Sequence, residues 1–238
     1  VADGGSGVST TGSGAITLSA TGAETDVLIG ASVSALGGTL RITAAQGVVQ
    51  NASLSNSDGQ ILVDAVSGDV ALNASVSSDG YIEVGAGQDI TQKDGEAILA
   101  VGSSGLASVN VIAARNLTLS RLEADAGVLL EATDGWIKGN LTAALADSDG
   151  NSVSEHLLVR DAAVIIRAAA GVGLGDAHLR TDIDSLALSN DGSGGVFITE
   201  RDDITVAGTH GTGSNAIDVV ASLPTSDADA AGAFVLQS

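Results

Sequence analysis

The residues of this chain that could do chemistry are almost all carboxylates, and the densest group is Asp147-Ser148-Asp149-Gly150-Asn151-Ser152-Val153-Ser154-Glu155. Oxygen side chains at alternate positions around a glycine suit a hard divalent cation such as calcium, which is bound by carboxylate and carbonyl oxygens. Asp147, Asp149, Asn151 and Glu155 are therefore candidate calcium ligands. The match to an EF-hand loop is partial, because Leu158 stands where that loop needs a bidentate glutamate. The plain alternative is a solvated loop whose Asp and Asn residues make turns. Asp-Gly turns at Asp58, Asp79, Asp94, Asp134 and Asp191 would gather cations weakly if stacked on one edge, and are otherwise simple turns. The pairs Asp182 with Asp184 and Asp202 with Asp203 are of the sort found on any acidic surface.

Little else in the sequence points to catalysis. His156, His178 and His210 have no metal-ligand spacing and read as isolated polar residues. There is no Gly-x-Ser-x-Gly elbow and no phosphate loop; Gly171-Val172-Gly173-Leu174-Gly175 is a turn region. A polysaccharide-active enzyme would need a carboxylate constellation and aromatic or basic groups for the sugar. Tyr81, Trp136, Phe197 and Phe234 are instead scattered along the whole chain. The expectation is a non-enzyme without catalytic residues; the enzyme alternative predicts an acidic groove beside Trp136 or Tyr81. Asn51, Asn73, Asn116 and Asn140 each head an Asn-x-Ser/Thr sequon, and turn or ladder asparagines are the favoured reading of all four.

Composition bounds the partners. Net charge is −20, from 29 acidic residues against 9 basic ones, which argues against nucleic acid, where clustered Lys and Arg are needed. An acidic surface fits solubility, self-repulsion and divalent cations. Aromatics are 2% of the chain while hydrophobics reach 44%, supplied by Ala, Val, Leu and Ile, so the core should be narrow and aliphatic. No apolar run is long enough to span a bilayer. Zero cysteines exclude disulfide staples. The chain starts at Val1 with no signal-peptide pattern and reads as a processed product or a segment of something longer.

The elements that must position these residues are strands in a repeat. Asp58, Gly59, Ile61, Val63 and Ala65 recur 21 residues later at Asp79, Gly80, Ile82, Val84 and Ala86. Leu40, Ile42, Ala44, Gly47 and Val49 precede Ile61, Val63, Ala65, Gly68 and Val70 by the same 21. Apolar residues at every second position face one way on a strand, and a fixed short period marks a solenoid. The pattern loosens after Ala86 with Ile90 and Ile98 inward, and returns at Val109, Val111 and Ala113 and at Val128, Leu130 and Ala132. It resumes at Val164, Ile166 and Ala168, and runs through Val172, Leu174, Leu186, Leu188, Val196, Ile198, Ile204 and Val206. The β-branched run Val164-Ile165-Ile166 makes 156–170 strand rather than helix. The fold class is an all-β parallel β-solenoid of roughly 10–11 coils with about 20–22 residues each, a rod of about 50 Å. A lead-in, flexible or edge-pairing, covers 1–13, the solenoid 14–207 with a loop insertion at 143–155, and a turn-rich segment 208–238 ends in a possible strand at Phe234 and Leu236. Asn51 and Asn73 are expected to stack as an amide ladder at a corner.

The in-register units, the Gly-rich turns, the Asn-Ala-Ser-Val strand ends and 179–206, with Asp184-Ser185-Leu186-Ala187-Leu188 and Gly194-Gly195-Val196-Phe197-Ile198-Thr199-Glu200, resemble the repeats of filamentous-haemagglutinin-like bacterial adhesins. The resemblance covers most of 14–206. It implies a right-handed parallel β-helix, export to the cell surface, extended fibres, and partners that are copies of the chain, flanking repeats, or a surface receptor or glycan. It carries over no catalytic residue.

Overall fold

In the computed structural model, which describes residues 7–102, 107–192, 194–211, 217–221 and 234–236, every regular element is a β-strand. The strand Gly59–Ala65 shows the rule: Ile61, Val63 and Ala65 are buried, while Leu62 and Asp64 alternate outward. Its partners Gly38–Ala44 and Ile82–Ala86 lie parallel on either side, with Ile61 opposite Leu40 and Ile82. Parallel strands need a crossover, and here the crossover is the rest of the coil.

Three parallel ladders run the length of the stack. The first holds Ile16–Ala20, Gly38–Ala44, Gly59–Ala65, Ile82–Ala86, Val109–Ala113 and Val128–Ala132. It continues through the second halves of the long strands Leu157–Ala168 and Leu179–Asn190, then Ile204–Gly211 and Phe234–Leu236. The second starts at Val8–Ser9, takes in Val33–Ala35 and Leu54–Asn56, and reaches Arg121–Ala124 and the first halves of the long strands. The third runs from Val27–Ile29 to Ile137–Gly139 and on through bridges at Val172 and Val196. The interior consists of files of like residues. Ala20, Ala44, Ala65, Ala86, Ala113, Ala132 and Ala168 form one file, and beside it Ile42, Val63, Val84, Val111, Leu130 and Ile166 form another. A column of methyls next to a column of branched side chains fills a narrow core without rings.

Corners are closed by polar side chains that reach one rung along. Asn73 Nδ2 donates to Asn51 Oδ1 at 2.8 Å, the expected ladder. A second file lies just before the third ladder. Asp26 accepts the Gly47 N–H at 2.8 Å, Asp69 that of Asp89 at 3.0 Å, and Asp89 that of Asn116 at 2.9 Å. Buried Gln50 and Gln92 take up turn carbonyls at the next corner.

Three expectations need correction. Val49 is exposed and Val48 points inward, because the third ladder pairs Val48 with Val70, a step of 22 rather than 21. One extra residue at the corner between Ala65 and Val70 absorbs the difference. Leu174 also faces out, since its segment has left the ladder for a turn closed by Leu174 and Ala177. The stack has about 9 turns, not 10–11, because the first ladder steps 27 residues from Ile82 to Val109 and 36 from Val128 to Val164, more than one 21-residue coil. At about 4.8 Å per rung it is ~40 Å long.

Candidate functional site

The stack is disturbed where the chain leaves the third ladder after Gly139 and rejoins the stack, in the second ladder, only at Leu157. The excursion carries a short antiparallel hairpin, Leu145–Ala146 with Ser152–Val153, which folds over the outer face of Arg121–Ala124. All four residues of that strand are consequently buried, the outward Arg121 and Glu123 included. Arg121 pairs with Glu123 and donates to the Ala146 carbonyl, and Ser148 donates through N–H and hydroxyl to Glu123. The hairpin is thus fastened by a charge pair under its own backbone.

The proposed calcium ligands lie on this hairpin. Asp147 accepts the N–H groups of Asp149 and Asn151 at 3.0 and 2.6 Å and the Asn151 amide at 3.0 Å. Burial pushes the Asp147 carboxyl up, but those Asn151 and Asp149 bonds and the Arg160 charge hold it below the usual carboxylate range. Arg160 reaches Asp149 at 2.9 Å, Glu123 at 3.4 Å and Asp147 at 3.6 Å. Glu155 accepts the Ser154 N–H at 2.9 Å. Asp147, Asp149 and Asn151 therefore converge on one another and on a guanidinium, while Glu155 bonds locally.

Among the described residues, one acidic trio brings its oxygens within 4.8 Å of one another: Asp182, Glu200 and Asp202. Glu200 is wholly buried, and its oxygens accept the Thr181 hydroxyl at 2.6 Å, the Ile183 N–H at 3.1 Å and the Arg201 N–H at 2.9 Å. Burial outweighs these bonds and raises its carboxyl to about 7. Asp182 and Asp202 are also raised, both chiefly by burial, and Arg201 meets Asp182 at 3.0 Å.

A groove of about 510 Å³ opens beside the same excursion. Its walls are Asn140, Leu141 and Thr142 on one side and Asp176, Ala177, His178 and Arg180 on the other, with His156 and Thr199 at its base. Gly173, at a φ of 66°, turns the chain into the second wall. Gly139 is needed for close approach, since a Cβ there would overlap the His156 ring. His156 Nδ1 accepts the Arg180 N–H at 3.0 Å, and His178 Nδ1 lies 2.8 Å from the Thr199 hydroxyl. Burial, then the Arg180 charge, lowers His156 to about 4, so it is neutral near pH 7. Arg180 donates to the Leu141 carbonyl at 2.7 Å, but its Nε is buried with no hydrogen-bond partner among the described residues.

Sequence reading left these histidines isolated, yet stacking brings His156 and His178 to one groove. The available signal was spacing near one coil: 24 residues separate His156 from Arg180, and 21 separate His178 from Thr199. His210 has a described backbone only. A smaller hollow of about 330 Å³ lies beside Tyr81, with Asp58, Asp79 and Ser108 in its wall. The Tyr81 hydroxyl there is engaged, donating to Glu83 at 2.5 Å and accepting from Asn110 at 2.8 Å. Burial and the Glu83 bond both raise its pKa, so it stays protonated. Trp136 sits at a corner with Lys138 Nζ 3.9 Å from its ring centre. Among the sequon asparagines, Asn116 bonds Asp89, and Asn140 donates to the Gln92 carbonyl. Set against known protein families, curated proteins and solved structures, the chain matches none, and what its repeating residues build is a parallel β-solenoid of about 9 turns.

Proposed function

We propose that this chain is a structural and adhesive segment of a rod at a bacterial surface, joined end to end with flanking repeats or with further copies of itself. The observation that carries the reading is the open ladder. Among the described residues, Ile16–Ala20 and Val27–Ile29 at one end, and Ile217–Ala221 and Phe234–Leu236 at the other, each have one strand partner. An unpaired edge of backbone N–H and C=O groups is a template for another strand, and head-to-tail contacts that do not close produce filaments. Lateral association is opposed by the net charge of −20, which leaves the ends as the favoured contact. The haemagglutinin-type resemblance and the acidic, cysteine-free composition are what support an extracellular setting.

Negative-stain microscopy across a concentration series tests the self-stacking form. Rods of several times ~40 Å that lengthen with concentration are expected at about 4.8 Å per added rung. Short, monodisperse particles at every concentration would overturn it.

A further inference from the structure

The groove between 139–142 and 175–180 has a chemistry unlike the rest of the surface. Arg115, Arg121, Arg160, Arg167 and Arg201 each meet a carboxylate within 4.0 Å. Arg41, which is exposed, and Arg180, which is half-buried, meet none among the described residues, although the chain carries 29 acidic side chains. The Arg180 guanidinium is fixed by the Leu141 carbonyl on one arm, half-buried in the groove wall, and lacks a partner for Nε. A partly desolvated guanidinium without a counter-ion is a carboxylate receptor, since its donors match the two oxygens in a planar fork.

The rest of the lining narrows the choice of anion. Asp176, four residues before Arg180 on the same wall, is exposed and makes no hydrogen bond or ion pair among the described residues. His178 offers Nε2, because Nδ1 is taken by the Thr199 hydroxyl. A phosphate would bring a second negative charge toward Asp176 with one arginine to balance it, which like-charge repulsion opposes. A hydrocarbon would leave these polar groups unpaired. A ligand with one carboxylate and several hydroxyls satisfies both ends, and about 510 Å³ falls in the usual range of small-ligand sites.

We propose that this groove binds a hexuronic acid unit, with the carboxylate against Arg180 and ring hydroxyls toward Asp176 and His178. The same sugar could arrive free or as a unit of an acidic polysaccharide. The site belongs to one chain, so it stands whether or not the rods assemble.

Saturation-transfer and chemical-shift NMR on the whole chain test it, using galacturonate, galactose, acetate and trigalacturonate as probes. Galacturonate should bind, with galactose and acetate each at least tenfold weaker. Arg180→Gln should weaken galacturonate at least tenfold while leaving galactose unchanged. Asp176→Ala, at an exposed position whose side chain makes no bond among the described residues, should weaken it severalfold and guards against misfolding of the arginine variant. Trigalacturonate binding tighter than the monomer assigns the site to polymer, and equal binding assigns it to the free sugar. No galacturonate binding, equal binding of galacturonate and galactose, or full affinity in both variants would overturn the proposal.

Discussion

The coils from Gly38 to Gln92 and those from Arg121 to Glu200 are built by the same stacking rule and stabilised in different ways. In the first region inward positions are aliphatic or, at Gln50, Asn56, Ser78 and Gln92, polar and uncharged, and the Asp and Asn side chains named at its corners bond a neighbouring rung. In the second, charge has moved inside: Arg121 and Glu123 under the hairpin, His156 beneath the groove and Glu200 between two rungs. Regular stacking repeats one solution, so a lost bond is shared among equivalent rungs. An interrupted stack has single solutions, and each buried ionisable group depends on one set of partners.

The sharpest test of that contrast is Arg121→Met. It removes the buried cation beside Glu123, leaving Ser148 and the half-exposed Arg160 at 3.4 Å to answer the carboxylate, and should cost about 3 kcal/mol, read as a lower denaturant midpoint. The paired change Arg121→Met with Glu123→Leu removes both charges and should cost far less. If the single and double variants lose the same stability, the charge pair is not what fastens the hairpin.

The next effect is pH dependence, with opposite signs at two sites. His156 has its folded pKa lowered from 6.5 to about 4, so its contribution is present above pH 6.5 and is lost as pH falls toward 4. Glu200 is raised from 4.5 to about 7, so its contribution is present below pH 4.5 and is lost as pH rises through 7. Each shift corresponds to roughly 3 kcal/mol over its window, and in the native chain the two slopes oppose. His156→Asn keeps an acceptor for the Arg180 N–H and should make the chain gain stability on acidification from pH 7 to 4.5, relative to wild type. Glu200→Gln should do the reverse. Melting curves at several pH values would show both, and parallel pH profiles for wild type and variants would sink the assignment.

In the regular region Asp89→Ala gives a smaller loss. Asp89 accepts from Asn116 N–H and Nδ2 and from Arg115, at 2.9 to 3.0 Å. Removing it should cost about 1–2 kcal/mol, because the Asn116 groups stay close to water and the stack holds the backbone from both sides. A loss as large as that of Arg121→Met would mean the corner file, not the apolar files, carries the regular coils.

Alternation made the inner face legible in sequence, because a strand with one buried side shows period two. It made Leu40, Ile61 and Val84 plain, and hid Arg121 and Glu123, whose outward direction was right and whose burial comes from a hairpin 25 residues on. Val49 went astray because one constant period was carried round a corner that holds an extra residue. The groove was invisible for a related reason. Residues one coil apart become neighbours only once the register is known, and the insertion at 139–156 had shifted it. Asn51 and Asn73 escaped that problem, since both lie in the unbroken part of the repeat.

That pair sets the lower end of the comparison. The Asn73 amide donates to Asn51 Oδ1 at 2.8 Å on an exposed corner, where water can replace either partner. Asn73→Ala should therefore cost about 0.5 kcal/mol, the low end for a hydrogen bond that solvent can remake. Asn51→Asp keeps the acceptor and should be close to neutral, whereas a ladder that mattered through its amide dipoles would lose as much from either change. Denaturant midpoints of the two variants, measured beside Asp89→Ala, decide it. A cost above 2 kcal/mol for Asn73→Ala would show that the regular stack is no more tolerant than the interrupted one, and the difference between the two regions would then lie in sequence pattern alone.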